Sequence, residues 1–120
     1  MIKLLIVICL ISGCAPLAMS KTIEGYNLHK WSEAIRLAEN SKTYPYGIMA
    51  KFKHTSPKQA CINTILHKYR DYRNLHYKHG LKQGFLNYLG SKYAPINANN
   101  DYRRLNKYWV NNVRYYLSIV

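Results

Sequence analysis

The stretch Leu28-His29-Lys30-Trp31-Ser32-Glu33-Ala34-Ile35-Arg36-Leu37-Ala38-Glu39, continued by Asn40-Ser41-Lys42-Thr43-Tyr44-Pro45-Tyr46-Gly47, decides how the chain reads. Leu28, Trp31, Ala34, Ile35 and Ala38 return at three- and four-residue steps, which lays one apolar face along a helix ending near Glu39. At about 100° per residue, Glu39 falls at the edge of that face. Pro45 then disfavours a helical Tyr44 and Gly47 permits positive φ, so the chain must turn. Past the turn, Ile48, Ala50 and Phe52 alternate with Met49, Lys51 and Lys53, a pattern that predicts a short edge strand over 48–54.

Ser56-Pro57 sets a capping hydroxyl before a proline at the first helical position, so a long helix begins there. Cys61, Ile65, Tyr69 and Tyr72 form its inner face, Lys58, Lys68, Arg70 and Arg73 lie outward, and it closes within 75–80. A third helix is predicted over 81–89, with Phe85, Leu86 and Leu89 inward and Gly90 as its C-terminal cap. Residues 91–101 read as a loop. The last helix starts at Tyr102 or Asn106 and buries Trp109, Val110, Val113, Tyr116 and Leu117. The expected fold is therefore mainly α (α+β): one small helical domain over 28–120, with a short strand or hairpin after the first helix, no internal repeat and no second domain.

Outward in the other direction lies an export segment. Lys3 precedes an uncharged apolar run over 4–11, the layout of a signal peptide and too short for a bilayer span, which needs roughly 20 apolar residues. Ile11-Ser12-Gly13-Cys14 resembles the bacterial lipobox, which implies a signal peptide over 1–13, a lipid on Cys14, and a tether over 14–27 in which little structure is expected. Ordinary cleavage after Ala18-Met19-Ser20 is the competing outcome and would secrete the protein instead. Cys9 leaves with the signal and Cys14 takes the lipid, so Cys61 stands alone as core filler and no intramolecular disulfide can form.

Eighteen Lys and Arg face five acids, a formal net charge of +13 in 120 residues, which export lowers by one through loss of Lys3. Such a chain attracts anions. In the cytoplasm the default partner is nucleic acid; outside it, phosphorylated glycolipids, phospholipid headgroups and peptidoglycan carboxylates take that place. A hydrophobic content of 48%, with two Trp and twelve Tyr, supports one packed domain and excludes a disordered basic tail.

Five acids also make the search for chemistry short. Two-carboxylate glycan cleavage needs a general acid and a second carboxylate about 5–10 Å away, and only Glu24, Glu33, Glu39, Asp71 and Asp101 are offered. Glu39 is the best general acid, because partial burial and the negative end of its helix both raise its pKa; Lys42 opposes them. The plainer reading is a solvated residue closing a surface helix.

The segment Ala34-Ile35-Arg36-Leu37-Ala38-Glu39-Asn40-Ser41, followed by Tyr44-Pro45-Tyr46-Gly47-Ile48, resembles the catalytic helix and turn of the lysozyme-like superfamily, bacterial and phage lytic transglycosylases in particular. Residues 60–65, Phe85-Leu86-Asn87-Tyr88-Leu89-Gly90 with Tyr93-Ala94-Pro95, and a closing helix from Asn106 are compatible with that domain, in outline over 28–118. Met49 follows the Gly47-Ile48 pair where the family usually carries glutamine. The resemblance implies that Glu39 protonates the glycosidic oxygen between MurNAc and GlcNAc and then, as carboxylate, takes a proton from the sugar's 6-hydroxyl, closing a 1,6-anhydro ring. It further implies substrate contacts from Ser41, Tyr44, Tyr46 and Tyr93, peptidoglycan glycan strands as partner, and no cofactor.

His76 and His79 stand three apart with no Cys, Asp or Glu placed to complete a metal set, so no metal is expected. His67-Lys68-Tyr69-Arg70-Asp71-Tyr72-Arg73, continued by Lys78 and Lys82, interleaves basic and aromatic groups as single-strand binders do. Export turns that surface away from nucleic acid and toward anionic envelope components. The alternative function is thus a non-catalytic basic envelope lipoprotein, bacterial or phage-encoded, held at the membrane by its lipid.

Overall fold

A computed structural model describes residues 21–101 and 103–120; the stretch expected to be a signal peptide, and Cys14, lie outside the described residues. The domain is mainly helical with one short antiparallel hairpin. Strands β1 (Thr22–Ile23) and β2 (Tyr26–Asn27) pair Thr22 with Asn27 and Ile23 with Tyr26. Four α-helices follow among the described residues: α1 (Leu28–Glu39), α2 (Pro57–His79), α3 (Phe85–Tyr93) and α4 (Trp109–Ile119). Single 3-10 turns stand at Pro45–Gly47 and Asn106–Tyr108.

Two helix starts carry side-chain caps. Asn27 Oδ1 accepts the Lys30 N–H at 2.8 Å and Ser56 Oγ accepts the Gln59 N–H at 3.1 Å, each satisfying a free donor of a first turn. At the other ends, Asn40 closes α1 and Gly80 closes α2 in the left-handed conformation, at φ 46° and 72°.

Two segments differ from the sequence reading. The extended pair forms at 22–27, inside the stretch read as tether, because Ile23 is fully buried and its carbonyl accepts the Trp31 indole N–H at 2.9 Å. Residues 48–54 are irregular: among the described residues their alternation has no neighbouring strand to pair with, and Met49 and Phe52 stay exposed.

The third helix also shifts. It starts at Phe85 and passes through Gly90 to Tyr93. Gly90 is no cap; it is buried where a Cβ would stand 2.5 Å from Val110 Cγ2, so the missing side chain is what lets α3 and α4 close on each other.

One core joins all of these elements. Trp31 meets Phe85 edge to face at 5.4 Å, Phe85 meets Tyr69 likewise at 5.1 Å, and Leu28, Ile35, Ile65, Leu89 and Val113 are fully buried around them. α1 packs most extensively on α4, which carries Trp109 to the C-terminal end of α1.

Candidate active site

The site is built where α1 ends. Glu39 is its last residue, and the left-handed Asn40 sends the chain away while its N–H still reaches the Arg36 carbonyl at 3.0 Å. Ser41 Oγ then accepts the Tyr44 N–H at 3.0 Å, which shapes the return. Tyr46 and Gly47 follow at φ 61° and 71°, two successive left-handed residues. A non-glycine there is strained, and the Tyr93 hydroxyl, donating to the Tyr46 carbonyl, is the bond that holds it.

That turn returns Gly47 onto the first helix. A Cβ on Gly47 would lie 2.8 Å from both Cδ and Oε1 of Glu39, so glycine is demanded by φ and by contact at once. On its other oxygen the carboxylate receives Trp109 Nε1–H at 2.6 Å. Tyr93 stacks on Trp109 with ring centres 5.1 Å apart and planes at 22°. Glu39 is thus clasped between a glycine backbone and an indole.

Burial pushes the Glu39 carboxyl above the ordinary glutamate range, and the Trp109 N–H, which favours the charged form, pulls the other way. The opposing group named from sequence was Lys42, which is exposed; the indole fills that role. Tyr93 is also held above its usual range by burial, and Cys61, fully buried 3.5 Å from the Tyr93 oxygen, has its thiol pushed up to about 12. A thiol so protonated is core packing and no nucleophile.

In front of Glu39 opens a cleft of about 220 Å³, lined by Ser41, Tyr44, Gly47, Met49, Tyr93, Ala94, Pro95, Asn100 and Asn106. Among the described residues Glu39 is the one charged member of that lining, in a chain of net charge +13. Asn106 donates its amide to the Pro95 carbonyl at 2.8 Å, and its own N–H goes to Asp101 Oδ1 at 3.2 Å, which ties the 94–106 loop along the rim.

The other four acids are occupied elsewhere. Glu24 Oε1 accepts the Phe85 N–H at 3.4 Å at the start of α3. The Arg36 guanidinium hydrogen-bonds Glu33 and holds its carboxyl below the usual range. Asp71 sits among His67 and Lys68 on α2, and Asp101 Oδ1 accepts the Asn106 N–H. Among the described residues no second carboxylate lines the cleft.

Of the residues named from sequence, Glu39, Ser41, Tyr44 and Tyr93 meet at this cleft. Tyr46 does not line it: its hydroxyl approaches Glu33 Oε2 at 3.5 Å, and its contribution is the carbonyl that Tyr93 grips. Trp109, read only as core, and Asn100 and Asn106, read only as loop and helix start, are the residues the sequence reading did not place here. Among the described residues no group of three or more His, Cys, Asp or Glu is gathered for a metal, and no helix is long and apolar enough to cross a membrane. No family profile matches the chain, and neither curated proteins nor solved structures provide a match to it.

Proposed function

We propose that the protein is a lysozyme-like lytic transglycosylase that cleaves the MurNAc-GlcNAc bond of peptidoglycan, with Glu39 as both general acid and general base. The observation that carries this reading is a single half-buried carboxylate, inclined to keep its proton, in a cleft whose other lining is uncharged. A cleft to which the described residues bring no cation, on a chain dense with them, suits a neutral polyol better than an anion. The hydroxyls of Ser41, Tyr44 and Tyr93 and the amides of Asn100 and Asn106 are the groups offered to sugar hydroxyls.

The chemistry follows from having one acid. Protonated Glu39 gives its proton to the glycosidic oxygen as the bond to the sugar's C1 breaks. The resulting carboxylate accepts the proton of that sugar's 6-hydroxyl, whose oxygen closes on C1 as a 1,6-anhydro ring. Water is not consumed, so the second carboxylate of a hydrolase has no task. Trp109 Nε1–H matters in the middle of this cycle, since its bond to Oε2 supports the charged form that must exist between the two proton transfers.

The test is purified protein on intact peptidoglycan and on peptide-free glycan. Release of soluble fragments ending in 1,6-anhydro sugars, lost in Glu39→Gln by roughly 10²–10⁴-fold, is the expected result. Equal inertness of parent and variant on both substrates overturns the reading, and fragments with reducing ends replace it by hydrolysis. The proposed address is the bacterial envelope: labelled fatty acid should enter the chain and fail to enter Cys14→Ser, leaving that variant outside the membrane fraction.

A further inference from the structure

Lys21, Tyr69, Arg70, Arg73, Tyr77 and Lys78 surround an open groove of about 450 Å³ that shares no residue with the Glu39 cleft. Arg73 lies 5.8 Å from the Tyr69 ring centre and 5.6 Å from that of Tyr77, and Lys21 Nζ lies 5.6 Å from Tyr69. Aromatic faces position these cations without neutralising them. None of the four forms an ion pair among the described residues; Asp71, the acid of α2, is engaged by His67 and Lys68 instead. Tyr77 leaves 72% of its surface in solvent beside them. Uncompensated cations and a part-apolar phenol side by side are the pairing that sits well where lipid phosphates meet acyl chains.

The sequence position of Lys21 points to an occupant. Lys21 lines it, and Cys14 stands seven residues earlier, so the two are at most about 25 Å apart along an extended chain. A lipid on Cys14 would therefore hold the groove within reach of a bilayer surface. We propose that this groove is a second membrane contact that binds anionic phospholipid headgroups and orients the domain on its tether. The inference rests on the reading of residues 1–14 as membrane-directed; it does not rest on catalysis at Glu39.

The test is co-sedimentation of the full chain with phosphatidylcholine vesicles, with and without phosphatidylglycerol. Arg70→Gln/Arg73→Gln/Lys78→Gln should lose the gain in binding that phosphatidylglycerol gives, by roughly five-fold per cation removed. A control triple, Lys51→Gln/Lys53→Gln/Lys107→Gln, removes the same charge from exposed positions outside the groove and should keep most of it. Tyr77→Ser, which leaves charge untouched, should weaken binding as well. Equal losses in the two triples mean net charge alone and overturn the site. Single-stranded oligonucleotide that displaces the protein from anionic vesicles also overturns it, in favour of nucleic acid. Glu39→Gln should bind vesicles like the parent, so failure here and failure of the catalytic reading are separately visible.

Discussion

Trp109 Nε1–H meets Glu39 Oε2 at 2.6 Å although the two residues stand seventy positions apart, one ending the first helix and the other opening the last. The bond favours the carboxylate while burial favours the acid, so this pair sets where Glu39 titrates.

Trp109→Phe should keep a ring stacked near Tyr93 and remove the donor. The Glu39 pKa then rises further, and the alkaline limb of a cleavage profile, which follows loss of the acid's proton, moves to higher pH. Stability should fall by about 1–3 kcal/mol, since a partly buried acceptor loses its partner. A pH-rate profile beside a denaturant melt checks both; an unmoved limb would show that the indole does not tune the acid.

Glu39→Gln should lose activity and gain stability at neutral pH. The folded-state pKa of Glu39 is raised, so the folded protein binds the proton more tightly than the unfolded chain does. Stability therefore falls as pH climbs from the ordinary glutamate range through the raised value, and stays lower above it. The variant has no such loss. Its melting temperature should exceed the parent's at pH 7, and the gap should close as pH drops below the ordinary glutamate range.

Gly47→Ala should fail twice, through its φ of 71° and through a methyl 2.8 Å from the Glu39 carboxyl. Gly25→Ala is the matched control, at φ 84° with nothing within 4 Å. The control should cost about 1 kcal/mol and retain cleavage, while Gly47→Ala costs more and displaces the acid. Thermal melts and activity of the pair separate strain from collision.

Gly90→Ala should destabilise by about 1–3 kcal/mol, because its methyl overpacks against Val110 Cγ2 at 2.5 Å. Val110→Ala opens that space. The double variant should therefore recover part of the loss, and a double-mutant cycle should return a clear coupling energy.

Much of the fold was legible because local signals agreed with packing. The 28–39 periodicity and the Ser56-Pro57 start match α1 and the beginning of α2 residue for residue, since in both the apolar face or cap is also the one the core uses. Gly90 misled because glycine serves caps and close contacts alike, and only Val110, twenty residues away, distinguishes them. The 22–27 hairpin was hidden by its length: two-residue strands leave no periodicity to read. At the cleft, Glu39 was reachable as the best placed of five acids and Ser41, Tyr44 and Tyr93 through the lysozyme-like resemblance alone, whereas Trp109 has the helical phase of a core residue and nothing local that marks its indole N–H for a carboxylate.

The span between Glu39 and Trp109 also bears on synthesis. A ribosome delivers the glutamate seventy residues before its indole partner, so a nascent chain that has not reached Trp109 carries the acid without the group that steadies its charge. The Glu39–Trp109 bond forms only when α4 docks against α1. The surroundings of Glu39 are thus completed only after both helices have been translated.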